Sequence, residues 1–314
     1  MYRRAAQLTN LDLNLLVALR ELIRERNVTR AAERIGVTQP AASAALARLR
    51  RHFGDELLVR GKGGYALTPL ATQLADQVEM VCAAAERLFT TGANFDPAES
   101  EREFSLLMAD YTIAVLGARL SQLVDAAAPH VTMHVRLVRE SLAADAASTI
   151  RLIDGIVAPP MGRLQAPDIR SAELFRDRWV CVVSAGNRLL DGRAPSVADL
   201  TRLPWVVPFY PTAGYPPANA PVPRQLTLLG LQPQLAVRVE SYEAVPHFIV
   251  GTDRIALLQE RLAARIADRL DLKVLECPGE PEPIVETLWW HENHERDLAH
   301  TWLRNLIVQA ARDL

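Results

Sequence analysis

The stretch NVTRAAERIGVTQPAASAALARLR, residues 27–50, stops a helix in its middle and starts another within a few residues. Thr29 is placed to cap a short helix whose Ala31, Ala32 and Ile35 recur at inward positions. Gly36 ends that helix, because a tight exit turn needs the left-handed backbone that glycine adopts without a steric penalty. Thr38 then caps a second helix, with Pro40 in its first turn, where a missing N–H removes no hydrogen bond. Ala42, Leu46, Leu49 and Phe53 carry the buried face onward, while Gln39, Pro40, Ser43, Ala44 and Ala47 point away from it. Ala32, four residues before Gly36, lets the two helices approach closely. Two short helices meeting at a glycine corner form a helix-turn-helix, whose second helix lays its N-terminal end in the major groove of duplex DNA.

The flanking sequence completes a small domain around this corner. LDLNLLVALRELIRER (11–26) repeats Leu15, Leu16, Leu19, Leu22 and Ile23 at helical spacing. DELLVRGKGGYALT (55–68) reads as two short strands around a basic, glycine-rich tip. Thr68-Pro69 opens a long helix to about Phe89, on which Leu70, Leu74, Val78, Val81, Ala85 and Leu88 form one apolar seam. Such a narrow seam suits packing on a second copy, with packing inside its own domain as the alternative. TGANFDPAESERE (91–103) reads as a linker.

Charge supports a nucleic-acid role for this head. Residues 1–70 hold 12 basic against 6 acidic residues, a net +6, so the remaining 23 basic and 31 acidic residues carry −8 within an overall −2. On the second helix, Gln39 can pair bidentately with an adenine edge, Ser43 can reach a base or phosphate, and exposed alanines can touch thymine methyls. Arg48, Arg50 and Arg51 suit phosphates, as do Arg30 and Arg34, and the hairpin offers Arg60 and Lys62 to an adjacent backbone or minor groove. The candidate DNA-binding set is Thr29, Arg30, Thr38, Gln39, Pro40, Ser43, Ala44, Arg48, Arg51, Arg60 and Lys62.

Beyond the linker, strands and helices alternate, as in an open α/β sheet with crossover helices. Strands are expected at 104–109, 131–138, 153–158, 179–184, 203–209, 235–240, 254–259, 272–277 and 284–291, and a helix from about Glu295 to Arg312 closes the chain. A proline-rich interruption near 159–167 favours two lobes over one. The three cysteines, Cys82, Cys181 and Cys277, lie outside any C-x-x-C spacing and read as free thiols of a reducing cytosol. No secretory leader or spanning segment is visible, since the longest charge-free run, 203–223, contains seven prolines. The expectation is a cytoplasmic protein with no membrane partner.

Residues 8–71 resemble the winged helix-turn-helix of LysR-type transcriptional regulators. The resemblance rests on Thr29-Arg30-Ala31-Ala32, Thr38-Gln39-Pro40-Ala41 with Ser43, Phe53-Gly54-Asp55, Leu58-Val59-Arg60 and Leu67-Thr68-Pro69. DLNLL at the start, the ALARLR helix end and GDELLVR before the wing are similar to the branch that holds nodulation and aromatic-degradation regulators. Ala44 stands where many relatives carry Arg, His or Asn, leaving a methyl contact as its means of base reading. Looser similarity continues through MADYTIAV (108–115), LFRDRWVCVVSAGNRL (174–189) and TWLRNLI (301–307).

What the resemblance implies is an α+β multidomain protein. It has a winged helix-turn-helix (1–67), a dimerising linker helix (68–90), a hinge (91–103) and a two-lobed, periplasmic-binding-protein-like α/β effector domain (104–314). Lobe I would hold 104–175 and 277–314, and lobe II 176–276. A homodimer through 68–90, paired into a dimer of dimers, would bind double-stranded promoter DNA. A small inducer between the lobes would control transcription as for an activator, with RNA polymerase a further candidate partner; the branch suggests an aromatic or phenolic inducer. No cofactor is implied.

In open α/β sheets ligands lie beyond the carboxyl ends of strands. Here those ends place Asp110, Tyr111 and Thr112 at one helix start, Tyr242 at a second, and Pro208, Tyr210 and Thr252 on nearby turns. Each could equally cap or pack. Enzyme readings are weaker: no GxGxxG, Walker-A loop or GxSxG elbow occurs. His291 and His294 are three apart across a strand-to-helix boundary, unlike a zinc-binding i, i+4 pair, so no metal site is expected. The alternatives from other classes are an α/β metabolite enzyme fused to a DNA-binding head, and an architectural DNA-binding protein that senses nothing.

Overall fold

The computed structural model describes residues 12–61, 64–90, 95–137, 149–160, 164–190, 193–208 and 221–314. The chain divides into two compact units, residues 1–93 and 94–314.

In the first unit, α1 (Asn14–Glu25), α2 (Val28–Ile35) and α3 (Gln39–Phe53) surround Leu19, Leu22, Ala31, Leu46 and Leu49. Burying each leucine contributes about 1.5–3 kcal/mol. Gly36 ends α2 at φ +78°, and no atom crowds the place a Cβ would occupy, so the backbone dihedral alone selects glycine here. The cap of α2 differs from the expectation at Thr29. Asn27 Oδ1 accepts from the N–H groups of Thr29 and Arg30, at 2.9 and 3.1 Å. Asn27 has the extended backbone of an N-cap, whereas Thr29 is already helical and exposed. Thr38 caps α3 as expected, its hydroxyl 3.4 Å from the N–H of Ala41.

The wing is a two-stranded antiparallel hairpin, β1 (Leu58–Gly61) and β2 (Gly64–Leu67), with Leu58 opposite Leu67 and Arg60 opposite Tyr65. Asp55 closes its base: Oδ1 accepts from the N–H of Leu57 at 2.6 Å and from the hydroxyl of Thr68 at 2.7 Å. The same hydroxyl oxygen of Thr68 caps α4 (Pro69–Thr90) through the N–H of Ala71. Along α4 the expected seam divides. Ala71, Val78 and Cys82 are buried in the unit's own core with Leu74 against it, while Val81 and Ala85 face outward; Leu88 lies outside the described side chains.

The second unit contains two five-stranded mixed sheets. The first is formed by β3 (Glu103–Met108), β4 (Thr132–Leu137), β5 (Gly155–Ala158), β6 (Ile169–Asp177) and β12 (Ile284–His291), in the order β4-β3-β5-β12-β6. The second is formed by β7 (Trp179–Ser184), β8 (Pro204–Pro208), β9 (Gln234–Val239), β10 (Ile255–Gln259) and β11 (Leu272–Glu276), in the order β11-β7-β10-β8-β9. Described helices of this unit are α5 (Asp110–Ala127), α6 (Val197–Arg202), α7 (Pro221–Leu228), α8 (Glu260–Ile266) and α9 (Leu298–Arg312). β3 runs parallel to β4 and β5, whereas β12 is antiparallel to both β5 and β6. Gly155 is dictated by this crossing: a Cβ there would lie 2.9 Å from Leu288 Cδ1 and 3.2 Å from the carbonyl of Trp289.

β6 was not anticipated as a strand. Its outward residues, Arg170, Glu173 and Arg176, mask the alternation. It pairs with β12 from His291↔Ile169 to Ile284↔Asp177. The lobe boundary expected after residue 175 therefore falls inside a strand whose last paired residue is Asp177. The expected hinge also changes character at its end. Pro97–Glu99 form a 3-10 turn capped by Asp96, and the Phe95 ring lies 5.4 Å from that of Trp302 in α9.

Candidate functional site

The N-terminal end of α3 presents Gln39, Pro40, Ala44 and Ala47 exposed and Ser43 half-buried, with Ala42, Leu46 and Leu49 on the opposite side in the core. Gln39 Nε2 donates to Ser43 Oγ at 2.9 Å, which orients the amide along the outward face. Thr29 and Thr38 are exposed at the starts of α2 and α3. The surrounding arginines fall into two groups. Arg51 and Arg60 stand exposed, whereas Arg30 lies 3.6 Å from Glu25, Arg34 lies 3.0 Å from the buried Glu21, and Arg48 lies 2.7 Å from Asp12. That last pair is itself solvent-exposed and holds Arg48 only weakly. Arg50, expected at a phosphate, instead donates to the carbonyls of Glu56 and Leu58 at 2.8 and 2.9 Å and braces the wing. Lys62 lies outside the described residues.

In the second unit the two sheets meet at a buried polar and aromatic cluster. Asp110 opens α5 on the first lobe, and its Oδ2 accepts from Ser241 Oγ at 2.6 Å and the N–H of Glu243 at 3.1 Å on the second. Its Oδ1 accepts from the N–H of Tyr111 at 2.9 Å. Tyr111 donates its hydroxyl to Asp177 Oδ2 at 2.7 Å, and burial beside that carboxylate raises the phenol pKa far above its ordinary value. The Tyr111 ring lies 6.4 Å from Phe175 and 6.5 Å from Tyr242, and Trp179 lies 6.3 Å from Tyr242. Thr112 is fully buried beside Glu286, which is 1% exposed on β12. Burial, reinforced by the nearby charge of Asp177, pushes the Glu286 carboxyl up to about 8, and the Thr112 hydroxyl holds it back from rising further.

The structure thus brings Asp110, Tyr111, Thr112 and Tyr242 into one cluster. Pro208 is buried at the end of β8 opposite Val239. Thr252 is used in its own turn: its hydroxyl donates to the Ile249 carbonyl at 2.7 Å and accepts from the N–H of Arg254 at 3.2 Å. Tyr210 lies outside the described residues.

Two family descriptions together match nearly the whole chain: "Bacterial regulatory helix-turn-helix protein, lysR family" over residues 13–72 and "LysR substrate binding domain" over residues 100–312. The chain belongs to the LysR family of transcriptional regulators. Among the relatives of this LysR-family chain is nodulation protein D 2 of Rhizobium tropici, 31% identical over 310 residues, covering 96% of this chain and 93% of the relative. Another is nodulation protein D 1 of Bradyrhizobium sp. strain NC92, 32% identical over 306 residues, with 97% and 94% covered. The fold is similar to that of a probable transcriptional regulator from Pseudomonas aeruginosa (TM-score 0.69, 28% identity, covering 96% of this chain and 97% of that one). It is also similar to full-length CbnR in complex with its target DNA (TM-score 0.62, 17% identity, 96% and 99% covered). This LysR-family regulator therefore joins a DNA-binding head to an effector-binding domain. Among its described residues no helix is long and apolar enough to cross a membrane.

Several residues of the regulator's interlobe cluster escaped the sequence reading: Phe175, Asp177, Trp179, Gln259 and Glu286. For Glu286 a signal was present, since it is a lone acid within the apolar run IVETLWWH. The histidines near the C-terminus also gather more closely than their spacing suggested. Asp154, His294 and His300 lie within 4.8 Å of one another by their ligand atoms. Their chemistry is nevertheless occupied. His300 Nδ1 accepts from Arg304 at 3.1 Å while Nε2 faces the Asp154 carbonyl at 2.5 Å, and the Asp154 carboxylate takes Arg102 and the N–H of Ser105. Desolvation depresses His300 to about 4, so it is neutral, and two guanidiniums border the group. The cluster pins the start of α9 to β5, and the two guanidiniums beside it disfavour a cation.

Proposed function

We propose that this LysR-family regulator reads promoter DNA through the outward end of α3 and switches on an aromatic or phenolic effector taken up between its lobes. The observation that carries the DNA reading is the outward row of exposed Gln39, Pro40, Ala44 and Ala47 with half-buried Ser43, backed by a buried face, with Arg51 and Arg60 exposed beside it. Gln39 is oriented by Ser43 for an adenine edge, the alanines suit thymine methyls, and Thr29, Arg30, Thr38, Arg48, Arg51, Arg60 and Lys62 supply phosphate contacts. We assign DNA binding to residues 1–67, dimerisation to 68–90, the hinge to 91–103 and effector binding to 104–314. Val81 and Ala85, left outward on α4, favour a second copy of that helix. Two such dimers then span a promoter and contact RNA polymerase.

The aromatic effector is supported by the walls of the cleft, where Tyr111, Phe175, Trp179 and Tyr242 stand within 6.5 Å of one another in sequence of contact. Selection from random duplexes at low salt tests the first half of this reading, and a winning motif whose affinity falls steeply with added salt is expected. Titration of the five tryptophans with an aromatic panel tests the second, since Trp179 stands in the cluster. A silent panel would remove the effector assignment and leave the DNA assignment standing.

A further inference from the structure

We infer that Glu286 sets the charge selectivity of the effector cleft: as a neutral acid it donates to an acceptor oxygen of an uncharged ligand, and the cleft turns away carboxylates. This rests on reading the interlobe cluster as the effector site. Three observations carry it. The donors suited to an anion on the second lobe, Ser241 Oγ and the N–H of Glu243, are already held by the chain's own Asp110 carboxylate, and the N–H of Tyr111 is held by the same side chain. Next, the cluster is crowded with acids: Asp110, Asp177 and Glu286 all converge on Tyr111 and Tyr242. A ligand carboxylate would enter against them without a cation of its own. Arg261 acts on Tyr111, but its guanidinium lies over the Phe175 ring and donates to the carbonyl of Leu314.

The third observation concerns what is left unsatisfied. Glu286 Oε2 and Gln259 Oε1 are buried without completing a hydrogen bond to a described residue, and the Thr112 hydroxyl is turned to Glu286. Buried polar atoms of this kind are costly, and a ligand that supplies their partners recovers that cost. Gln259 belongs to the same cluster, since it stands opposite Trp179 in the β10–β7 ladder and shares its face. The protonated Glu286 offers one donor, which suits a carbonyl or hydroxyl oxygen, and Gln259 Oε1 offers an acceptor, which suits a hydroxyl. The groups facing Glu286 are Asp177 from β6, Thr112 and Tyr111 from α5, and Tyr242 from the second lobe. Of these only Thr112 eases its ionisation, so at neutral pH the carboxyl keeps its proton and acts as a donor.

The test uses the full-length protein and matched probe pairs that differ only in an aryl methyl ketone or an aryl carboxylate. The pairs run from 4-methoxyacetophenone and 4-methoxybenzoate up to three-ring scaffolds. Ketones are expected to bind at least about tenfold tighter than their carboxylate twins, and to lose about tenfold between pH 7 and pH 9 as Glu286 ionises. Glu286→Gln keeps the shape and the donor, and its ketone affinity is expected to be flat over that range. Thr112→Val removes the hydroxyl that eases ionisation of Glu286 and is expected to move the pH-dependent loss of ketone affinity to higher pH. Without ligand, stability follows the same group. The unfolded carboxyl ionises near its ordinary value of 4.5 and the folded one near 8, so this contribution to stability is lost as pH rises across that window. Glu286→Gln removes that slope. Equal or tighter binding by the carboxylates, or a pH loss that persists in Glu286→Gln, overturns the inference while leaving the cleft as the effector site. If no member of any pair binds, the cleft assignment falls and this inference with it. Should Glu286→Gln fail to fold, the wild-type ketone-to-carboxylate ratio decides alone.

Discussion

Asn27 and Thr29 sit two residues apart, and the difference between them is set by one backbone dihedral pair. Asn27 is extended, at φ −155° and ψ 120°, so its side-chain oxygen can swing back over two orphan amides of α2. Asn27→Ala is expected to lower stability by about 0.5–2 kcal/mol, whereas Thr29→Ala should leave it nearly unchanged; urea unfolding of the full chain compares them. On the next helix the contrast is between reading and holding. Gln39→Ala should weaken specific binding by about 1–3 kcal/mol and leave nonspecific binding almost intact, because a base-edge contact is lost. Arg51→Ala should weaken both, and equal losses for the two variants in gel-shift titrations would mean that the reading face is misassigned. Residue identity made the α3 row legible, because outward small and polar residues alternate there with buried alanines and leucines. It left Arg50 ambiguous, because whether an arginine reaches a phosphate or a neighbouring carbonyl depends on the turn that follows it.

At the scale of elements, the corner at Gly36 and the hairpin were legible, since glycine positions and apolar periodicity are local properties of the chain. The base of the wing was not. Asp55 bonds to Thr68 across 13 residues, a contact that no periodicity encodes. Asp55→Ala removes a charge-assisted acceptor from two donors and should cost about 1.5–3 kcal/mol, with loss of amide protection at Leu57 in hydrogen exchange. β6 was missed for a related reason: its edge position leaves alternate residues in water, and the charges there read as a loop. The strands of the second sheet were found almost to the residue, because β7 and β10 are buried along their whole length, β8 along all but its first residue, and they appear as apolar runs.

At the scale of the whole molecule, α4 shares its apolar residues between two demands. Leu74, Val78 and Cys82 face the core of the first unit, which leaves Val81, 37% exposed, and Ala85 outward. Val81→Glu is expected to convert the assembly to monomers by light scattering without changing the melting of the head, while Val78→Glu should unfold the head as well. The cluster between the lobes was only half legible, because its members come from five distant segments. The helix-start residues Asp110, Tyr111, Thr112 and Tyr242 follow from strand ends, but the residues that face them from β6, β7, β10 and β12 are fixed by topology alone.

The placement of β12 has one more consequence. This strand, made from residues 284–291, lies between β5 and β6, so the middle of the first lobe is filled by chain that leaves the ribosome after every strand of the second lobe. During synthesis the second lobe has all five of its strands before the first can close, and β5 waits with a bare edge for more than a hundred residues. A nascent chain arrested when Cys277 has just cleared the exit tunnel should therefore carry a protease-resistant second lobe beside a first lobe that is still sticky and digestible.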